Sequence, residues 1–155
     1  MGMNRRAAIE MNADERRAYL EAGKTIYLAS NGADGYPHLI AMWYALEGDA
    51  VLMTTYRKAQ KTKNLLQDPR CTLLLEDGAT YRQLRGLFVR GHCEVIDDFE
   101  TTLATLSKVG ARAGGAADSA RTDDALRARA QKRVTLRFRP GKIRSWDHRK
   151  LGGRY

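Results

Sequence analysis

The sequence predicts a mainly β protein, an antiparallel barrel with helices at its periphery. Six or seven short runs rich in β-forming residues are separated by turns that contain Gly, Asp or Pro, as in hairpin-linked antiparallel strands. Two helical stretches later in the chain interrupt these runs as insertions. A chain of 155 residues is long enough to bury a core, and by length we expect residues 1–155 to be a single domain.

The first third of the chain is predicted to hold one helix and three strands. Asn12 followed three residues later by Glu15 forms a capping-box pattern, which predicts a helix over Ala13–Ala22 after an N-terminal arm at residues 1–11. Runs of β-forming residues predict strands over 24–30, 36–46 and 50–55. A glycine-bearing loop of hairpin length joins the first two of these strands.

Two strands and two helices are predicted in the middle of the chain. Apolar runs at 71–76 and 87–96 predict the strands. Leu103, Leu106 and Val109 recur at helical spacing and predict a helix over 99–109. A Gly- and Ala-rich stretch at 110–120 is predicted to be a mobile connection, and a second helix is expected over 122–131.

The C-terminal part is predicted to be a strand, a turn, a last strand and a tail. Apolar and polar residues alternate over 133–139, which places Val134, Leu136 and Phe138 on the core face and Arg133, Thr135, Arg137 and Arg139 on the other. Pro140-Gly141 is expected to turn the chain into a strand over 142–146. A C-terminal tail occupies residues 147–155.

The positive charge of the chain is concentrated near its C-terminus. The formal net charge is +9, and residues 1–120 hold equal numbers of basic and acidic side chains, so the surplus lies in 121–155. Such an asymmetry indicates an anionic partner, either nucleic acid or a small molecule rich in phosphate or carboxylate. An exposed stripe of Arg133, Arg137 and Arg139 would suit nucleic acid. No recognition helix or RNA-binding aromatic motif accompanies it, so we expect no nucleic-acid partner.

Several other functional classes are disfavoured. No apolar run approaches the roughly 18 residues of a membrane span, and the N-terminus lacks the apolar segment of a secretory signal. Cys71 and Cys93 have no metal-ligand spacing and are expected to be buried thiols, so we expect a cytoplasmic protein without a metal site. No serine lies in a nucleophile elbow, so a cofactor would carry any enzymatic chemistry, and we assign no catalytic residue.

Residues 51–75 hold the pattern most typical of a ligand site. A predicted strand ends in the hydroxyl pair Thr54 and Thr55, and a basic segment with Lys61 and Lys63 leads into a short helix. Cations and hydroxyls at a strand end beside a helix start suit a phosphate, because free backbone N–H groups and the helix dipole converge there. A solvated basic turn would show the same run of charge.

The order of these elements resembles the split β-barrel flavin-binding family that includes pyridoxamine 5′-phosphate oxidase and its deazaflavin-using relatives. The residues that match this pattern are Thr54, Thr55, Lys61, Asn64, Leu65, Asp68, Pro69 and Arg70, and the similarity in element order runs over about 13–97. The resemblance implies a six-stranded antiparallel split β-barrel. It also implies a homodimer with FMN or the deazaflavin coenzyme F420 in a groove between the two subunits.

The resemblance further implies which residues contact the cofactor. The implied contacts are His38, Met42, Trp43, Thr54, Thr55, Gln60, Lys61, Lys63, Asn64, Trp146, His148, Arg149 and Lys150. The threonines would bond the ribityl–phosphate region, residues 60–63 would hold the phosphate, and residues 38–43 would line the ring. Other interpretations stay open: Trp43 as a core residue, Asn64 bonded to local backbone, and a frayed C-terminal tail.

By the same resemblance the protein is expected to be an oxidoreductase that moves a hydride between its cofactor and a small organic substrate. F420 is favoured over FMN, because the C-terminal positive surplus would complement the additional carboxylates of its tail. A flavin-binding or carrier protein without turnover is one alternative. An FMN-dependent enzyme similar to pyridoxamine-phosphate oxidase is the other.

Overall fold

The computed structural model describes residues 4–113 and 123–152, which form a seven-stranded antiparallel sheet with peripheral helices. The strands are β1 (Thr25–Asn31), β2 (Pro37–Trp43), β3 (Ala45–Glu47), β4 (Ala50–Tyr56), β5 (Arg70–Asp77), β6 (Arg85–Ile96) and β7 (Arg133–Asp147). The helices are α1 (Arg5–Ala8), α2 (Ala13–Ala22), α3 (Gln60–Gln67), α4 (Phe99–Ala113) and α5 (Asp123–Ala130), with 3-10 turns at Tyr81–Gln83 and His148–Leu151. Neighbouring strands follow the order β2-β1-β5-β6-β7-β4-β3.

The two edge strands of this sheet are consecutive in sequence. β2 ends at Trp43 and β3 begins at Ala45, so Tyr44 alone joins opposite edges. One intervening residue spans only about 7 Å. The sheet therefore curls until its edges nearly meet, although no backbone ladder joins β2 to β3 among the described strands. The result is the predicted split antiparallel β-barrel.

Tyr44 also divides one predicted strand into two, and the sheet has seven strands where the family resemblance implied six. The run 36–46 was predicted as one strand, and the structure divides it at Tyr44. The Tyr44 side chain is buried, and its hydroxyl donates to the carbonyl oxygen of Leu20 at 2.6 Å. Its own carbonyl oxygen accepts from Arg112 Nε at 3.0 Å. Both partners are distant in sequence, so a local β-forming pattern does not reveal the break.

The inner face of the barrel holds the core. The strand residues buried there include Ile26, Leu28, Met53, Leu73, Leu87, Val134, Leu136 and Phe138, which confirms the predicted inward face of β7. Thr135 lies on the opposite face, as predicted, but that face is not exposed to solvent at this position. Helix α4 covers it, and the fully buried Thr135 hydroxyl donates to Thr105 Oγ1 at 3.2 Å.

The capping box predicted for α2 is confirmed. Asn12 Oδ1 accepts from the Glu15 backbone N–H at 2.9 Å, and Glu15 Oε2 accepts from the Asn12 N–H at 2.7 Å. Two of the N–H groups that a helix start leaves unpaired are therefore satisfied. The helix begins and ends at the predicted residues.

The predicted turn at Pro140-Gly141 is wrong, because β7 continues through it to Asp147. The β6–β7 register shifts between Val89 and Gly91, and Gly91 lies opposite Pro140. A bulge accommodates a proline, which has no N–H to donate, without ending the strand. The other edge of β7 pairs with β4 only over residues 133–138, so Pro140 also removes no hydrogen bond on that side.

The N-terminal arm and the C-terminal tail are bound to each other. The Asp147 N–H donates to the Ile9 carbonyl oxygen at 2.7 Å, and Lys150 Nζ donates to the Glu10 carbonyl oxygen at 2.7 Å. The predicted mobile connection at 110–120 begins inside α4, and from residue 114 onward it lies outside the described residues. None of the described helices is long and apolar enough to cross a bilayer.

Candidate anion and cofactor site

Strand β4 and helix α3 place Lys61 at one end of the barrel. Lys61 is half-buried, and its Nζ donates to Thr55 Oγ1 at 3.0 Å. Thr55 is buried on the inner face of β4, opposite Val134 of β7. No side chain caps the N-terminus of α3, so the first-turn N–H groups have no side-chain acceptor. The ammonium group thus lies beside free donors at a strand–helix junction, as the sequence predicted.

Arg133 supplies a second cation at the same place. The β4–β7 register pairs it with Tyr56, and its guanidinium carbon lies 4.2 Å from the centroid of the Tyr56 ring. Its Nε is buried without a hydrogen-bond partner. Burial lowers the pKa of Lys61, and the nearby Arg133 lowers it further. Within 4–113 and 123–152 neither cation has a carboxylate partner, so this junction would stabilise an anion.

A polar chain fixes α3 onto the barrel. Gln60 Nε2 donates to Asn64 Oδ1 at 2.8 Å, and Asn64 Nδ2 donates to Ser30 Oγ at 3.1 Å. Asn64 and Ser30 are both buried, so Asn64 joins α3 to β1 and does not bond the local backbone through this donor. His38 is the register partner of Ser30 on β2, and its Nδ1 is buried without a partner.

Lys63 is not brought to the same point. It is exposed, and two residues along an α-helix correspond to a rotation of roughly 200°. The side chains of Lys61 and Lys63 therefore leave α3 on different sides. Of the predicted phosphate contacts, the structure groups Thr55 and Lys61 and leaves Lys63 in solvent.

A cleft of about 430 Å³ has Arg133, one of these two cations, in its lining. It lies between strands β2 and β4 and helices α4 and α5, and its lining includes Met42, Trp43, Thr54, Leu106, Leu126 and Arg133. Three predicted site residues thus share one cavity with Arg133, and its size is typical of small-molecule sites. Trp43 is 54% exposed, so the structure does not place it in the core.

Arg112 fixes the helical wall of this cleft. Its guanidinium donates to the carbonyl oxygens of Tyr44, Leu20 and Gly23 at 3.0, 3.1 and 2.6 Å. It also lies 4.8 Å from the centroid of the Tyr44 ring. The last turns of α4 are therefore tied to the residue that crosses the split in the barrel.

The four predicted C-terminal contacts lie at the other end of β7. The strand between Arg133 and Trp146 is roughly 40 Å long at about 3.3 Å per residue. Trp146 lies against Gly86, and the His148 ring meets the Tyr81 ring edge-on with centroids 4.6 Å apart. Within one protomer these residues are not brought together with Lys61.

Two of the C-terminal cations are already paired with acids of the same chain. Arg149 donates to both carboxylate oxygens of Asp147 at 2.8 and 2.6 Å, which lowers the pKa of Asp147. Lys150 Nζ donates to Glu15 Oε2 at 2.6 Å and lowers the pKa of that carboxyl. The described part of the tail is therefore anchored and not frayed.

The thiols do not add to the site. Cys71 and Cys93 are free and buried on the inner face of the barrel, and the neighbouring Cys71 together with burial raises the pKa of Cys93. No cluster of three or more His, Cys, Asp or Glu side chains suitable for a metal occurs in the described part of the chain.

Arg133 is the site residue that sequence reasoning missed. The alternation of β7 placed it on the outward face, where it was considered only for nucleic acid. Its proximity to Lys61 depends on the pairing of β7 with β4, between Arg133 and Tyr56. The only signal in the sequence was its position as the first residue of a strongly alternating strand.

Comparison with known proteins agrees with this fold. The family described as pyridoxamine 5′-phosphate oxidase matches residues 13–147, and the chain belongs to that family. Among solved structures, the conserved hypothetical protein Rv2991 from Mycobacterium tuberculosis is 38% identical with a TM-score of 0.86, and the match covers 97% of this chain and 93% of that one.

Two further structures show the range of proteins with this fold. An F420 reductase is 28% identical with a TM-score of 0.66, over 82% of this chain and 94% of its own. The heme storage protein HutZ from Vibrio cholerae has the same TM-score of 0.66 over 84% of this chain and 92% of its own, but at 17% identity it shows the fold alone. No curated protein matches this chain.

Proposed function

We propose that the protein binds a flavin-type cofactor, F420 in preference to FMN, and uses it as an oxidoreductase on a small organic substrate. The observation that carries this proposal is the pair Lys61 and Arg133, two cations without a carboxylate partner in the described chain, next to a cleft lined by Trp43. The similarity to an F420 reductase over 82% of the chain supports the choice of cofactor class.

The residues at the junction fit the phosphate of such a cofactor. Lys61 has a charge to neutralise, Arg133 has a buried Nε–H without an acceptor, and α3 begins without a side-chain cap. Together they would provide charge-assisted and backbone donors to one anionic group. The adjoining cleft would hold the ring, with Trp43 and Met42 as apolar contacts and Thr54 as a polar one.

A bound cofactor of this type supplies hydride transfer, and the chain supplies binding, orientation and exclusion of water. Lys61 and Thr55 would fix the phosphate end. The wall of α4, tied down by Arg112, would shield one side of the cleft from solvent. None of these roles requires a side-chain nucleophile.

We also propose that two copies of the chain associate through the outer face of β1 and β2. Tyr27, Leu39 and Trp43 lie on this face and are 36%, 64% and 54% exposed. A cluster of exposed large apolar side chains on a sheet favours an interface. Analytical ultracentrifugation should give twice the chain mass of 17.4 kDa, and a monomer at micromolar concentration would contradict the dimer. The two free buried thiols suit a cytoplasmic location, which we propose with the dimer.

The test of the cofactor site is a pair of titrations, with F420 and with FMN, followed by tryptophan fluorescence at low salt. We expect tighter binding of F420, and Lys61→Ala should weaken it by about 10- to 100-fold, since it removes a charge-assisted contact. Lys63→Ala is the matched control on the same helix and should change affinity by less than about threefold.

Each other result of these titrations has a definite meaning. Unchanged affinity in Lys61→Ala would contradict the phosphate assignment, and binding of neither cofactor would contradict the proposed function. Preference for FMN would favour an oxidase-like enzyme. Tight binding without reduction of any acceptor in a varied panel would favour a carrier.

A further inference from the structure

A separate cavity of about 330 Å³ lies between helix α2 and the inner face of the sheet, at one end of the barrel. We call it the mouth cavity and define it by six apolar side chains of its lining, which come from α2 and five strands: Leu20, Ile26, Val51, Leu73, Val89 and Phe138. Among the described residues, it shares none of its lining with the cleft that contains Arg133. None of the residues assigned to the cofactor lines it either.

The lining is apolar because it continues the core of the barrel. Leu73 and Phe138 are 0% and 1% exposed, and Phe138 lies opposite Val51 in the β4–β7 register. Val89 lies opposite Ile143, which follows the bulge in β7 and is 38% exposed. The cavity therefore runs from fully buried side chains to an open rim. The mouths of β-barrels are frequent ligand sites, and an apolar lining favours an apolar ligand over water.

Helix α2 covers this cavity without filling it. Of its ten residues only Tyr19 is buried, and Leu20 is half-buried against the core. At the C-terminal end of the helix, the Tyr44 hydroxyl donates to the Leu20 carbonyl oxygen at 2.6 Å. At the N-terminal end, the Met11 N–H donates to Ser145 Oγ at 3.0 Å. A helix fixed at both ends is not free to move into the space below it, so the cavity stays open although an empty apolar cavity destabilises a fold.

Two arginines of α2 lie at the rim, and they differ in how their charges are paired. Arg17 Nε donates to Glu21 Oε1 at 2.6 Å, and Arg17 Nη1 donates to the Gly48 carbonyl oxygen at 2.6 Å. Arg16 is half-buried and donates to the Met11 carbonyl oxygen at 2.9 Å. In the described part of the chain Arg16 has no ion pair. The charge of Arg16 is therefore available to an anion at the rim.

We propose that the mouth cavity binds an unbranched aliphatic carboxylate, with its hydrocarbon chain among the core side chains and its carboxylate on Arg16. An apolar cavity with one unpaired cation at its rim matches both parts of such a ligand. The volume is at the lower end of the range for small-molecule sites and favours a chain of medium length. Among the described lining residues the one acid is Asp49, which is exposed. The proposal does not depend on the cofactor proposal, because the two sites share no residue.

The test is isothermal titration calorimetry of the full-length protein with octanoate. We expect one binding event per chain and an affinity about tenfold higher than that of hexanoate, because two more methylene groups are buried. Arg16→Gln should lower the affinity for octanoate at least about tenfold. Arg17→Gln is the matched control, since Arg17 is exposed and paired with Glu21, and it should change the affinity by less than about threefold.

A pair of tryptophan variants locates the binding. Ile143→Trp places a large side chain at the rim and should weaken octanoate binding at least about tenfold. Ile40→Trp changes an isoleucine of similar exposure, 37% against 38%, outside the cavity lining, and it should leave the affinity unchanged. Lys61→Ala should also bind octanoate as the unmodified protein does. Thermal melting checks that the variants fold, and Arg16→Gln still decides the question if Ile143→Trp does not.

Octanol has the same chain without the charge and should bind at least about tenfold more weakly than octanoate. No binding of octanoate would show that the cavity is a packing void and would overturn the proposal. Equal affinities for hexanoate and octanoate, or for octanol and octanoate, would also overturn it. So would unchanged affinity in Arg16→Gln or in folded Ile143→Trp. Loss of binding in Lys61→Ala would place octanoate at the cofactor site and contradict the proposal.

Discussion

Lys61 and Arg149 are cations at opposite ends of the same sheet, and they differ in what they contact. Lys61 donates to a neutral hydroxyl, and burial lowers its pKa. Arg149 donates to both oxygens of Asp147, which raises the pKa of the guanidinium. The first charge is available to a ligand, and the second is already neutralised within the chain.

Because of this difference, the net charge of +9 overstates the positive charge that is available to an anionic ligand. The C-terminal surplus favoured a polycarboxylate cofactor, but Arg137, Arg149 and Lys150 are paired with acids of the same chain. The charge that can bind an anion is the unpaired part, as at the junction of Lys61 and Arg133. Counting charges along a sequence does not distinguish cations that are paired within the chain from cations that are unpaired.

The largest expected effect comes from Gly86, the β6 residue against which Trp146 packs at the C-terminal end of β7. In Gly86→Val the new side chain would occupy the position of the Trp146 ring, and we expect the free energy of unfolding to fall by about 3 kcal/mol. Urea denaturation measures this change. Thr72→Val, at a half-buried position on the same sheet face, is the control and should change stability by less than about 1 kcal/mol, because both residues favour strands. Equal stability of the two variants would show that Trp146 is not held against β6.

The next largest effect on stability is expected at Asp147, whose carboxylate is paired with Arg149. Asp147 has a lowered pKa because Arg149 donates to it, so its carboxylate stabilises the fold above its ordinary value of about 4, and this contribution is lost as pH falls through the lowered value. Asp147→Asn should therefore lower the free energy of unfolding at pH 7 by about 1–3 kcal/mol. The gap between the variant and the unmodified protein should close in acid.

Denaturation curves at pH 7 and under acid conditions measure this convergence. Asp49→Asn serves as the control, because Asp49 is exposed and has no partner within the described chain. A stability gap in Asp147→Asn that stayed constant down to the lowest pH would show that the ion pair is not its cause.

The smallest effect on stability is expected at Lys61, where the charge is unpaired. Lys61→Met removes a partly buried charge and one hydrogen bond to Thr55, and these opposing changes should leave the free energy of unfolding within about 0.5 kcal/mol at pH 7. Because the folded pKa of Lys61 is lowered, the unfolded chain binds its proton more tightly. Stability from this group therefore rises with pH in the alkaline range below about 10.4.

The matched variant Lys63→Met should retain that alkaline rise, and Lys61→Met should lose it. Chemical denaturation between neutral and alkaline pH compares them. A large loss of stability in Lys61→Met would mean that Lys61 stabilises the fold, and it would contradict the view that its charge is free to bind a ligand.

Much of the fold was predictable because its signals are local. The capping box gave the bounds of α2, and the turn residues and β-forming runs gave the existence of nearly every strand. The strand–helix junction with Thr55 and Lys61 was predictable for the same reason, since all of its parts lie within a dozen residues. The resemblance to the split-barrel family added the curvature and the closure, which no local pattern specifies.

The sequence by itself therefore determined the local elements and the presence of a basic strand–helix junction. Only the tertiary structure decided that Arg133 joins Lys61, that Tyr44 divides one predicted strand into two, and that Pro140 lies in a bulge and not in a turn. It also decided that Glu15 neutralises Lys150. These outcomes depend on pairing between residues far apart in the chain, and hydrogen bonds and charges act over distance in space and not along the sequence.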